Sequence, residues 1–192
     1  MKKILLILFT LFSFQLFACK CEGWNKETID KLIQKSDYIF IGTVVGNVNL
    51  NNNEIQDYSW RTNNSSSEVV IKVERIIKGK LASEYVYITQ FNQGNCSRFF
   101  IKGEKYIITG FKIKKFISFT SQKKNKYLEK IKTQTETIEI PDVEFKKNKF
   151  YMNNLGGNFK GWNELAKKET LISTNICDSG SPNSPFWNLI LN

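Results

Sequence analysis

The stretch DYIFIGTVVGNV, Asp37 to Val48, decides how this chain is read. It is β-branched and aromatic almost throughout, which suits an extended strand rather than a helix. Its two interruptions, Gly42 and Gly46, are four residues apart. Glycines inside a strand mark bends or bulges, so this strand is expected to coil.

Working towards the amino terminus, GWNKETIDKLIQKSD places Ile29, Leu32 and Ile33 at i, i+3 and i+4 behind Asn25. That spacing, with an asparagine able to cap the start, predicts a short amphipathic helix. Towards the carboxyl terminus, residues 49–67 are rich in Asn and Ser and are expected to form a long exposed loop. Trp60 within it is either an exposed contact residue or a side chain folded back on the core. The segment EVVIKVERIIKGK then sets Val69, Ile71 and Val73 against Val70, Lys72 and Glu74, a strand ending at the turn Lys78-Gly79. EYVYITQF is a further strand, followed by a loop that carries Cys96. KYIITGFKIKKFISFT reads as one long strand or two short ones, with Gly110 as the bend.

Residues 121–168 are more polar, with a strand-like ETIEIPDVEF, a turn at Gly156-Gly157 and a helical GWNELAKKE. TLISTNIC is expected to be a strand ending on Cys177, and 178–192 a Pro/Ser-rich tail. The echo between GWNKETIDKL and GWNELAKKETL lacks flanking similarity and reads as coincidence. One helix, four or five antiparallel β-runs and a late helix-bearing insertion imply a mainly β fold. The most economical version is a five-stranded Greek-key β-barrel with peripheral helices.

Residues 1–18, MKKILLILFTLFSFQLFA, follow the grammar of a signal peptide: Lys2 and Lys3, an apolar run, then the small Ala18. The run falls short of the ~20 apolar residues of a membrane span and is broken by Thr10, Ser13 and Gln15. The chain is therefore expected to be exported, as a secreted, periplasmic or envelope-associated protein beginning at Cys19. Four cysteines, Cys19, Cys21, Cys96 and Cys177, then imply two bridges. Joining Cys19 to Cys21 across one residue is strained. The other two connectivities both tie the amino terminus to a middle and a late segment, each closure worth roughly 4–5 kcal/mol in the chain-entropy model.

The net charge is +10, with 28 Lys and Arg against 18 Asp and Glu. The lysines are scattered and form no single block, so the charge reads as compositional, and export makes a nucleic-acid partner unexpected. Tyr85, Tyr87, Phe91, Phe99 and Phe100 resemble a base-stacking face, but strand aromatics belong more often to a core. Histidine is absent altogether, which removes histidine-dependent triads and HExxH zinc centres. The CxC spacing does not make a zinc knuckle, and Gly79-Lys80 lacks phosphate-loop spacing. Asp30, Glu68 and Glu74 sit in no catalytic context. Neither an enzyme nor a cofactor is expected.

The ordered set of a processed CxC terminus, SDYIFIGTVV, VVIKVERIIKGK, a lone cysteine before GEKYIITGF, and STNIC resembles the netrin-like domain. It is similar above all to bacterial relatives of the tissue inhibitors of metalloproteinases. The correspondence runs from Cys19 to about Phe111 and resumes at Leu171–Cys177, leaving 112–170 as an unassigned insertion in a domain spanning 19–177. The resemblance implies an OB-type barrel and the bridges Cys19–Cys96 and Cys21–Cys177. It also implies a function: the free amine and carbonyl of Cys19 chelate the zinc of an extracellular metalloproteinase, and Lys20 enters its specificity pocket. The family carries a small or apolar residue at that position and a third disulfide that this chain lacks. Burying an unpaired ammonium is costly, so Lys20 disfavours an apolar pocket.

Two other readings stand beside this one. The domain serves as a non-inhibitory binding or structural module of the envelope, or it is a lipoprotein. Leu16, Ala18 and Cys19 match three lipobox positions, with Phe17 bulkier than usual. Lipidation would consume the sulfur of Cys19 and, in most such lipoproteins, its amine as well; it would leave an odd cysteine count and bring the chain to a membrane.

Overall fold

The computed structural model describes residues 21, 23–57, 65–66, 68–90, 96–118, 143–146, 148–152 and 159–191. Trp60, Arg61, Phe91, the Gly156-Gly157 turn and most of ETIEIPDVEF lie outside these.

Helix α1 spans Lys26–Lys35 and starts where Asn25 predicts. The Asn25 side chain accepts from the Thr28 amide at 2.9 Å while Thr28 Oγ1 accepts from the Asn25 amide at 3.1 Å, a reciprocal cap. At its far end Lys78 Nζ donates to the carbonyls of Ile33 and Gln34. Strand β1, Tyr38–Asn49, follows. Next come β2 (Glu54–Gln56), β3 (Ser65–Ser66), β4 (Val69–Lys78), β5 (Tyr85–Thr89) and β6 (Phe100–Ile101). Strands β7 (Lys105–Lys112), β8 (Lys115–Ser118), β9 (Val143–Lys146) and β10 (Lys149–Met152) complete the middle of the chain. Helix α2 (Phe159–Lys168), β11 (Thr170–Ser173), β12 (Ser179–Gly180) and helix α3 (Pro185–Leu191) end it.

Strand β1 pairs antiparallel with β4 on one edge and with β7 on the other. β4 continues to β5, β5 runs parallel to β11, and β11 returns to β7. The circuit β1-β4-β5-β11-β7 is closed, so the fold is the expected OB-type five-stranded barrel. The β1–β4 register shifts at Ile41/Gly42 and again at Val44/Gly46, where the glycines predict coiling. A Cβ on Gly42 would stand 2.5 Å from the Lys72 carbonyl oxygen and from Ile71 Cγ2, so the crossing strand approaches too closely for any side chain.

These strands read as nearly continuous apolar runs because both of their faces are covered. Phe40, Val44, Ile71, Ile88, Ile108 and Ile172 fill the barrel interior, together with Phe100. Ile39, Ile41 and Ile107 point outward and meet Ile29 of α1 with Phe186 and Ile190 of α3. Val70, Tyr87 and Leu171 point outward elsewhere, against Trp162 and Leu165 of α2. Asn163 ties α2 to β8, accepting from the Phe116 amide at 2.8 Å.

Several local expectations are corrected. Residues 49–67 are not one long loop, because β1 turns back at Asn49–Asn53 into β2, and β3 pairs with β6. The asparagines serve as turn formers: Asn53 has φ 61°, and the Asn49 and Asn52 side chains accept from the Asn51 and Glu54 amides. The break in KYIITGFKIKKFIS falls at Ile113-Lys114 rather than Gly110: the Ile113 amide still donates to Leu171 of β11, and the Lys114 amide turns away to the Asn148 carbonyl. Gly110 lies inside β7, where β11 packs against it. TLISTNIC stops being a strand at Ser173. Asn175 then caps a 3-10 turn, Ile176–Asp178, that carries Cys177. The residues anticipated as a tail include β12, paired with β7, and α3, whose Phe186 is wholly buried.

Candidate functional site

The segment after the expected terminus is fixed at three points. Cys21 is bridged to Cys177, with Cα atoms 5.4 Å apart across a sequence separation of 156. Trp24 Nε1 donates to the Cys177 carbonyl at 3.3 Å, and its ring meets Phe186 with centroids 5.7 Å apart. Cys96 is also disulfide-bonded. Cys19 and Lys20, the expected zinc-chelating terminus and pocket residue, lie outside the described residues.

The turn that receives the bridge is itself held by two residues that sequence reasoning missed. Arg98, two residues beyond Cys96, donates through Nε to Ser179 Oγ at 2.6 Å and through Nη2 to the carbonyls of Ser179 and Ile176 at 2.7 and 3.1 Å. Burial lowers its pKa, while the charge interaction with Tyr106 acts the other way; its guanidinium carbon also lies 6.0 Å from the Tyr106 ring centroid. Gln90 in turn fixes the Arg98 backbone, accepting from its amide at 2.6 Å and donating to its carbonyl at 2.8 Å. The loop bearing Cys96 and the turn bearing Cys177 are thereby joined by a charged clamp.

Asp178 is the second. Its carbonyl accepts from Thr109 Oγ1 at 2.9 Å, and its carboxylate accepts from Asn175 Nδ2 at 2.6 Å. Burial pushes the carboxyl up to about 6, against the lowering effect of the Asn175 hydrogen bond. Asp178 also lines a cleft of about 330 Å3 between α1 and the bridged turn. In the sequence Asp178 is marked only by its place directly after Cys177.

The remaining sequence-selected residues do not converge. Asp30 is exposed on α1. Glu74 accepts from Thr43 Oγ1 at 2.5 Å and pairs with Lys105 Nζ at 2.5 Å, contacts that lower its pKa. Glu68 departs from a solvated surface charge, since burial raises its pKa. The aromatic set is divided: Phe100 lies inside the barrel, Tyr87 packs under α2, and Phe99 is 62 % exposed. These do not form a single stacking face. Among the described residues, no group of three His, Cys, Asp or Glu is placed to hold a metal ion, and no helix is long and apolar enough to cross a membrane.

Comparison with family models, with curated proteins and with solved structures returned no match to this chain.

Proposed function

We propose that this chain is an exported netrin-like module whose amino terminus at Cys19 inhibits an extracellular zinc metalloproteinase. The observation that supports this reading is the Cys21–Cys177 bridge, which fastens the chain two residues after the expected terminus to a turn on the barrel wall. Chelation of zinc by an α-amine requires only that the amine be uncharged, unblocked and held in place. A terminus anchored this near its end loses little conformational freedom on binding. The clamp from Arg98 to Ile176 and Ser179 stiffens the anchor point. Lys20 directs the choice of target towards a protease whose pocket offers a carboxylate.

The test is a panel of zinc metalloproteinases assayed against the exported protein, a form with one alanine added before Cys19, and Lys20→Thr. Inhibition by the exported form, lost in the extended form, is the expected result. Lys20→Thr should shift preference towards apolar pockets. If all three forms are inert against every protease, the inhibitory reading fails and the module serves a non-inhibitory binding role. Intact mass of the exported protein reports the start at Cys19, and an N-acyl mass on Cys19 would likewise exclude chelation by its amine.

A further inference from the structure

The cleft beside the bridge has a chemistry of its own. Its apolar lining comes from Ile29 and Leu32 of α1, from Trp24 and from the bridged pair Cys21 and Cys177. Lys31 and Lys35 line it from the same helix face. Like charges at i and i+4 repel on a helix. Lys31 is offset by Glu27, 2.6 Å away, whereas Lys35 has no ion-pair or hydrogen-bond partner among the described residues. Lys35 therefore offers an uncommitted cation at the edge of an apolar hollow. The volume, about 330 Å3, lies at the small end of ligand pockets, roughly 300–1,000 Å3. One ring or a short alkyl chain fills such a space.

We propose that this cleft binds a small organic carboxylate, its anionic end held by Lys31 and Lys35 and its apolar body laid over Trp24, Ile29 and Leu32. A monoanion suits the site better than a phosphate dianion because Asp178 lines the same cleft, and its repulsion grows with ligand charge. The carboxylate can belong to a free acid or to the carboxyl terminus of a partner peptide with an apolar last residue. The inference is independent of the inhibitory reading, since none of these groups belongs to Cys19 or Lys20.

The experiment follows the assigned Trp24 indole N–H signal by NMR in the disulfide-bonded protein. Phenylacetate and an acetylated tripeptide ending in free phenylalanine are titrated to about 10 mM, well above a Kd on the order of 1 mM. Phenylacetamide and the tripeptide amide serve as uncharged counterparts. Saturable shifts with either acid, absent with its amide and weakened about tenfold in the exposed-site variant Lys31→Gln/Lys35→Gln, are expected. Response to phenylacetate assigns the site to free acids, and response to the tripeptide alone assigns it to a partner's carboxyl terminus. Equal binding of acids and amides, an unaltered response in the lysine variant, or no saturable shift with either acid overturns the proposal.

Discussion

Replacing Phe186 by alanine tests whether the last helix is part of the fold or an appendage to it. The side chain is wholly buried, packed among Ile29, Ile39, Ile41 and Ile107 and against the Trp24 ring. Truncating such a residue removes its transfer free energy and leaves a cavity, together about 3–5 kcal/mol. The site cannot collapse easily, because its floor is the barrel wall formed by β1 and β7 and its sides are two helices. Against a total stability of about 5–15 kcal/mol the loss is large. In a domain of this size it lowers Tm by roughly 2–4 °C per kcal/mol, so about 6–20 °C in all. Urea unfolding of the disulfide-bonded protein, followed by near- and far-ultraviolet circular dichroism, measures it. A double-mutant cycle with Trp24→Leu and Phe186→Leu should add a coupling of about 0.5–1.5 kcal/mol from the ring pair. A loss below about 1 kcal/mol, within the range of surface substitutions rather than core truncations, would show that α3 does not seal this face, and the reasoning would fail.

Gly110→Ala should destabilise the barrel by at least about 1–3 kcal/mol through overpacking, since the new Cβ would meet Ile172 Cγ2 and stand 2.7 Å from the Ser173 carbonyl oxygen. Hydrogen exchange at the β7–β11 seam would locate the damage, and unchanged protection there would refute it. Asp178 has its folded pKa raised from 3.8 to about 6, so its contribution is fully present below the unfolded pKa and is lost as pH rises through 6. Asp178→Asn should therefore stabilise the protein by about 1–3 kcal/mol at pH 7 and flatten its stability profile between the two pKa values. Parallel profiles for the two proteins across that window would contradict the assignment.

Several features can be read along the chain because the interactions that define them are local. Asn25 and Thr28 cap α1 from three residues apart, and Gly42 and Gly46 mark the shifts in β1 register within the strand itself. Alternation of period two identifies the inward residues Val69 and Ile71. Export, inferred from the leader, and the cysteine count pointed to bridges, of which Cys21–Cys177 is present. What the chain alone did not reveal depends on neighbours distant in sequence. Whether Ile39 and Ile107 face solvent or a second layer is decided by α1 together with α3, which arrives from the far end of the chain to cover them. Closure of the barrel pairs Tyr38 with Gly110, and the parallel β5–β11 contact pairs Val86 with Thr170. No periodicity records such partners. Arg98 and Asp178 look like ordinary surface charges in the sequence. Only the packing of the Cys177 turn against the barrel desolvates them, giving one a set of backbone carbonyls and the other a raised pKa. Burial is a property of the assembled neighbours, and so the chemistry of this site is decided by tertiary structure.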